Sequence, residues 1–193
     1  MLLCVSLGVL FIFIASLLYP GGSILDKNAI GFDWTKNFIS NLFLPKALNG
    51  ADNPSQIWAI IGMAFHSVGY GIFFIHMSRK MVAKRVALVV RTIGILNIIF
   101  TFLIATPLHD RMVIISSTLF LIGLFYCTVS IFKTKLILFK LACVACLLLF
   151  YYTLFLYGCG NFGLLAIMQK VTFICSILLV LGLEYGTKKE DFE

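Results

Sequence analysis

The chain reads as an all-α membrane protein, a six-transmembrane-helix bundle. Three observations predict it. Of its 193 residues, 61% are hydrophobic and 12% charged, against roughly half apolar and a quarter charged in an average soluble domain. Its mean hydropathy is +1.06. Its apolar residues gather into runs of about 20, the length a helix needs to cross the hydrocarbon core of a bilayer. Helix is the only open form that satisfies its own backbone in lipid. Residues 1–193 are therefore a single integral membrane domain.

The first span is Leu2–Tyr19. It has no positively charged leader and no small-residue cleavage site after it, so it is read as a retained helix rather than a removed signal. Pro20-Gly21-Gly22 ends it, because proline cannot continue a helix and glycine punctuates one. An outer loop, 20–56, follows. Within it Trp34, Phe38 and Leu42 recur at helical spacing with Ile39 alongside, which predicts a short interfacial helix with Trp34 at the headgroup level. Asp33, Asn37, Ser40 and Asn41 lie off that stripe, either as a simple cap or as the lining of a lid.

The remaining spans are 57–77, 86–106, 112–132, 136–157 and 162–183. Pro107 closes the third, and Gly158-Cys159-Gly160-Asn161 makes a tight turn between the fifth and sixth. Arg79, Lys80, Lys84, Arg85, Lys133, Lys135, Lys188 and Lys189 fall on one side of this topology; Lys27, Lys36, Lys46 and Arg111 fall on the other. Cytoplasmic loops carry the excess of Lys and Arg, so both termini are expected in the cytoplasm and the protein in the cell's inner (cytoplasmic) membrane. The net charge of +7 is accounted for in this way. A nucleic-acid partner is excluded, since no solvated domain carries a basic stripe. Membrane lipids, and a larger membrane protein complex, are the partners expected. No internal repeat is visible, which argues against an inverted-repeat transporter.

Cys143 and Cys146 form a CxxC on a membrane helix, one turn apart. There they are small apolar packing residues rather than a redox or zinc motif, and neither a cofactor nor a metal is expected.

Polar groups inside the spans carry what functional signal there is, because an ionisable group at mid-bilayer faces the interior or pairs. Lys170 stands roughly eight residues, about 12 Å, from the outer end of the last helix, with Gln169 beside it. It wants an acid, and Asp33 or Asp110 approaches from the outer side. His66-Ser67 sits mid-way along the second span. His109-Asp110 forms the turn between the third and fourth, where a carboxylate beside an imidazole can orient it for general-base work or simply cap a helix. The catalytic candidates are thus His66, Ser67, His109 and Asp110. The binding candidates are Asp33, Asn37, Ser40, Asn41, Gln169 and Lys170, an outer-leaflet polar cluster.

Tyr19-Pro20-Gly21-Gly22-Ser23, then Trp34 and Asn37-Phe38-Ile39-Ser40-Asn41-Leu42, resemble the opening of a prokaryotic membrane family catalogued as domain of unknown function 998. Pro107 and His109 followed by Ser116, Ser117 and Phe120, and Gly163 followed by Gln169-Lys170, resemble that family's third-to-fourth junction and last helix. The resemblance covers essentially the whole chain and implies a six-helix bundle without an established activity. Asn41 stands where that family often has Asp, and Gln169-Lys170 where it has Glu-Arg. The cation is kept and the acid is lost twice. The function expected is a non-catalytic scaffold, accessory subunit or lipid-interacting bundle. The alternatives are an intramembrane hydrolase of lipid-linked substrates, on the Ser, His and Asp residues named above, and a small-solute transporter lined by His66, Arg91 and Lys170.

Overall fold

The structure is a computed structural model describing residues 1–193. It is all-helical: α1 (Leu2–Leu18), α2 (Ser55–Lys80), α3 (Lys84–Phe102), α4 (His109–Phe132), α5 (Ile137–Gly158) and α6 (Phe162–Gly186), with short 3₁₀ turns at Ile39–Phe43, Leu103–Ala105 and Lys189–Phe192. Five helices, α2 to α6, are long and apolar enough to cross a membrane. α1 is apolar but shorter, at 17 residues.

α2 is the central helix, flanked by α1 on one side and α3 on the other. Glycines let the backbones approach. A Cβ at Gly62 would lie 3.1 Å from the Gly8 carbonyl of α1, and one at Gly71 would lie 2.8 Å from the Gly94 carbonyl of α3. Such small-residue contacts are the usual device where apolar burial cannot drive helices together. α4, α5 and α6 follow in order, and α6 returns to α2.

Both chain ends lie at one end of the bundle, where the Leu2 amide donates to the Tyr185 hydroxyl at 3.2 Å. There Lys80 of α2 donates through Nζ to the carbonyls of Leu183, Glu184 and Thr187. It supplies donors and positive charge to the helix end whose last carbonyls have no partner of their own. His76 Nδ1 and Glu184 Oε1 are bonded beside it. The half of the bundle at this end is densely packed around Phe73, Phe74, Met77, Leu124, Ile131, Cys143, Leu179 and Leu183. The six cysteines are unpaired, and Cys127, Cys143 and Cys146 are core packing groups.

Several spans expected from sequence are extended, while the third ends at Phe102 and continues as a 3₁₀ turn. α2 begins at Ser55 and runs to Lys80, and α6 runs to Gly186. α4 begins at His109, so the His109-Asp110 turn is the first turn of that helix. In the 20–54 loop the expected helix reduces to the 3₁₀ turn Ile39–Phe43, and Trp34 lies outside it, 44% exposed.

Candidate functional site

The loop end of the bundle is a built lid. Tyr19 stitches it to α1: its hydroxyl accepts from the Leu48 amide at 3.1 Å and donates to the Gly22 carbonyl at 3.4 Å. Gly22 has φ +82°, and a Cβ there would meet the Asn49 backbone nitrogen at 2.3 Å, so both conformation and space demand glycine. Asn37 is fully buried. Its amide donates to the Gly22 carbonyl at 2.6 Å and its carbonyl oxygen accepts from the Asp33 amide at 2.9 Å. Asn41 Oδ1 accepts from the Phe38 amide at 2.8 Å and starts the 3₁₀ turn. Asn53 holds the exit through the carbonyls of Leu42 and Leu44. These asparagines satisfy buried main chain that has no ladder of its own.

α6 fastens the lid from beneath. Lys170 is buried, and its ammonium donates to the carbonyls of Asn37 in the lid and Ala166 in its own helix. The Phe32 ring lies 5.9 Å from it, a cation–π distance. Gln169 Oε1 accepts from the Ile39 amide at 2.9 Å. The acid expected beside Lys170 is not its partner. Asp33 is at the surface, 3.6 Å from Lys36, and its carboxylate takes the Thr35 hydroxyl and amide at 2.6 and 2.8 Å. The Thr35 hydroxyl, with the Thr35 amide second, holds the Asp33 carboxyl below its usual range. Asp110 bonds to His109 instead. Main-chain carbonyls take the place of a carboxylate because the lid's chain path brings Asn37 directly over Lys170.

Between the lid and the packed half lies a cavity of about 470 Å³ bounded by α2 to α6. At its mouth are Ser40, Asn41, His109 and Asp110; Gln169 is on its wall; His66 and Tyr70 are at its deep end, walled by Phe120, Phe150 and Phe173. His66 packs at a tilt against Tyr70 and Phe173, with ring centroids 4.2 and 4.9 Å apart. Hydroxyl pairs bridge the helices around it: Tyr70 to Ser176 at 2.7 Å, Thr101 to Ser116 at 2.6 Å and Thr153 to Thr172 at 2.8 Å. His109 Nδ1 and Asp110 Oδ1 are 3.0 Å apart. His109, Val113, Ser116, Ser117 and Phe120 line the cavity from one face of α4, as the spacing of a helix dictates.

Six of the residues singled out in the sequence thus share one cavity: Ser40, Asn41, His66, His109, Asp110 and Gln169. Asp33, Asn37, Ser67 and Lys170 lie outside its lining. Ser67 is not a neighbour of His66 in function, because adjacent residues on a helix point about 100° apart; its hydroxyl donates to the Ala64 carbonyl at 2.9 Å. The sequence reading missed Tyr70, Thr101, Thr153, Thr172 and Ser176, whose only signal was a hydroxyl in an apolar run, and it named Ser116 only as part of a motif. No three His, Cys, Asp or Glu side chains converge as a metal-holding group. No family model, curated protein or solved structure matches the chain.

Proposed function

We propose that the protein is a six-span membrane protein, both termini cytoplasmic, whose cavity binds an amphiphilic molecule drawn from the outer leaflet, without catalysis. The carrying observation is the cavity itself: about 470 Å³, set between helices, mostly apolar with a few hydroxyl and amide groups, the make-up of a small-molecule site. The packed half beneath it supports a dead-end binding site rather than a transport path. The hydroxyls of Tyr70, Thr101, Ser116, Thr153, Thr172 and Ser176 are engaged with one another, and no lining hydroxyl is bonded to a histidine, which supports binding over hydrolysis. The order of its short motifs supports kinship with the domain of unknown function 998 family. α1 supports the sixth span, since it packs along α2 from the chain-end side to the lid; a helix somewhat shorter than the bilayer core is accommodated by local thinning.

A second reading, hydrolysis of a lipid-linked substrate, is favoured by one observation: His109 is oriented by Asp110 at the mouth with Ser117 on the same lining face.

The test is lipid retention. Ser117 lines the cavity without being fully buried, so Ser117→Trp fills it from the wall. Purified wild-type protein is expected to carry about one extractable amphiphile per chain by mass spectrometry, and Ser117→Trp about tenfold less; equal retention removes the proposal. Turnover of a fluorogenic lipid ester that His109→Ala abolishes establishes the second reading instead.

Orientation has its own reporter. Cys159 is the exposed cysteine, in the turn between α5 and α6 at the lid end. A membrane-impermeant maleimide is expected to label intact cells at Cys159, with labelling lost in Cys159→Ser. Labelling that appears only after lysis reverses the topology.

A further inference from the structure

The walls of the cavity hold no lysine or arginine, and Asp110 is their only carboxylate. It stands at the mouth, bonded to His109. The nearest buried cation, Lys170, is next in sequence to the lining residue Gln169 yet spends its ammonium on two main-chain carbonyls. A phosphate or carboxylate headgroup carried into the deep end would find no counter-charge, and an ammonium would find none either. An unpaired ion in such a place is strongly disfavoured.

Two lining side chains are more than nine-tenths buried and unfinished. His66 is 8% exposed and Asn97 1% exposed. Each has a polar atom with no hydrogen-bond partner, Nδ1 in His66 and Oδ1 in Asn97, and such groups are rare in a finished interior. Two of the neighbouring hydroxyl pairs are fully committed as donors, while the Thr101–Ser116 pair keeps one free proton. Ser176 gives its proton to the Phe173 carbonyl at 2.8 Å, so Tyr70 donates to Ser176. Thr153 gives its proton to the Leu149 carbonyl at 2.8 Å, so Thr172 donates to Thr153. What these groups retain are lone pairs. The deep end is therefore uncharged and aromatic-walled, and it offers hydroxyl lone pairs together with the Asn97 amide as a donor.

From this we infer that the cavity takes an uncharged amphiphile whose hydroxyl-bearing end seats beside His66 and Asn97. A hydroxyl both donates and accepts, so it pairs with the remaining lone pairs and with the Asn97 amide, and the apolar body of the molecule lies along the wall toward the mouth. This inference rests on the cavity being a binding site, as proposed above, and adds the chemical class of its occupant.

The experiment uses the full chain, purified in detergent and stripped of lipid, with five probes of equal chain length: a long-chain alcohol, a monoacylglycerol, a fatty acid, an alkyl phosphate and an alkylamine. Binding is read by native mass spectrometry. The alcohol and the monoacylglycerol are expected to bind at least about tenfold more tightly than the three charged probes. Asn97→Leu and His66→Phe are expected to erase that preference by weakening the alcohol and the monoacylglycerol. If either variant fails to fold, the order of the five probes on wild-type protein still decides. A charged probe that binds as well as the alcohol, and is displaced by Ser117→Trp, overturns the uncharged class but leaves the site standing. Binding of no probe, or binding of all of them unaffected by Ser117→Trp, overturns the site as well.

Discussion

Lys170→Ala is expected to lower the unfolding midpoint of the detergent-solubilised protein and to release the lid, whereas Lys188→Ala is expected to change neither. The Lys170 ammonium bridges Asn37 of the lid and Ala166 of α6. Hydrogen bonds to a charged group contribute about 1.5–3 kcal/mol. Removing the charge also relieves its desolvation, which opposes the loss. The balance is expected at about 2 kcal/mol, because the Asn37 carbonyl is left buried without its donor and the alkyl stem leaves a gap beneath Phe32. Gln169 to Ile39 is then the remaining side-chain tie from α6 to the 3₁₀ turn, so proteolysis between residues 23 and 54 should accelerate. Lys188 is an exposed residue and its side chain makes no hydrogen bond or ion pair. Trp34 fluorescence against heat or denaturant, together with limited proteolysis, reads both effects. Equal midpoints and equal cleavage rates for the two variants would remove Lys170 from the lid's architecture.

Gly94→Leu is expected to be the most damaging single change. A Cβ at Gly94 lies 2.8 Å from the Gly71 carbonyl and 2.9 Å from Phe74 Cβ. The obstruction is main chain, so no rotamer change relieves it and α3 must move away from α2. Overpacking costs about 1–3 kcal/mol where side chains can yield, and more where they cannot. Separation also strips contacts from Phe74 and Ile93, which share the main core. Loss of the monodisperse species on size exclusion is therefore expected. Gly158→Ala is the control: a Cβ there meets nothing within 4 Å, and alanine at the end of α5 should be neutral or slightly stabilising. A Gly94→Leu protein that elutes and melts like wild type would show that α2 and α3 are not in backbone contact.

The apolar runs were legible because lipid leaves the chain so few choices. Their limits were less so. Arg79 and Lys80 look like loop residues in sequence but continue α2, since Lys80 finds its partners on the end of α6. The site was half legible. Depth along the helices placed His109, Asp110, Ser40, Asn41 and Gln169 at one end, and they do share a cavity with His66. Rotation was not legible. Helices that are apolar on nearly every side show no polar stripe from which to read a facing direction, so Tyr70, Thr153 and Ser176 gave no warning that they meet across helices. The adjacency of His66 and Ser67 suggested a pair where helical geometry forbids one. The partner of Lys170 is a main-chain carbonyl 133 positions away in sequence, and a carbonyl has no signature in a residue string.

α2 and α6 are pinned directly to each other at the chain-end side by Lys80 and by His76 with Glu184, whereas toward the other end both line a hollow and are joined through the lid. The pair is built like a clothes-peg, with its spring at one tip. A guest that needs more room must swing the lid-end jaws about that fulcrum, so displacement grows with distance from the pin. Spin labels at Ile57 and Asn161 should therefore change separation on loading, while labels at Arg79 and Gly186 should hold theirs.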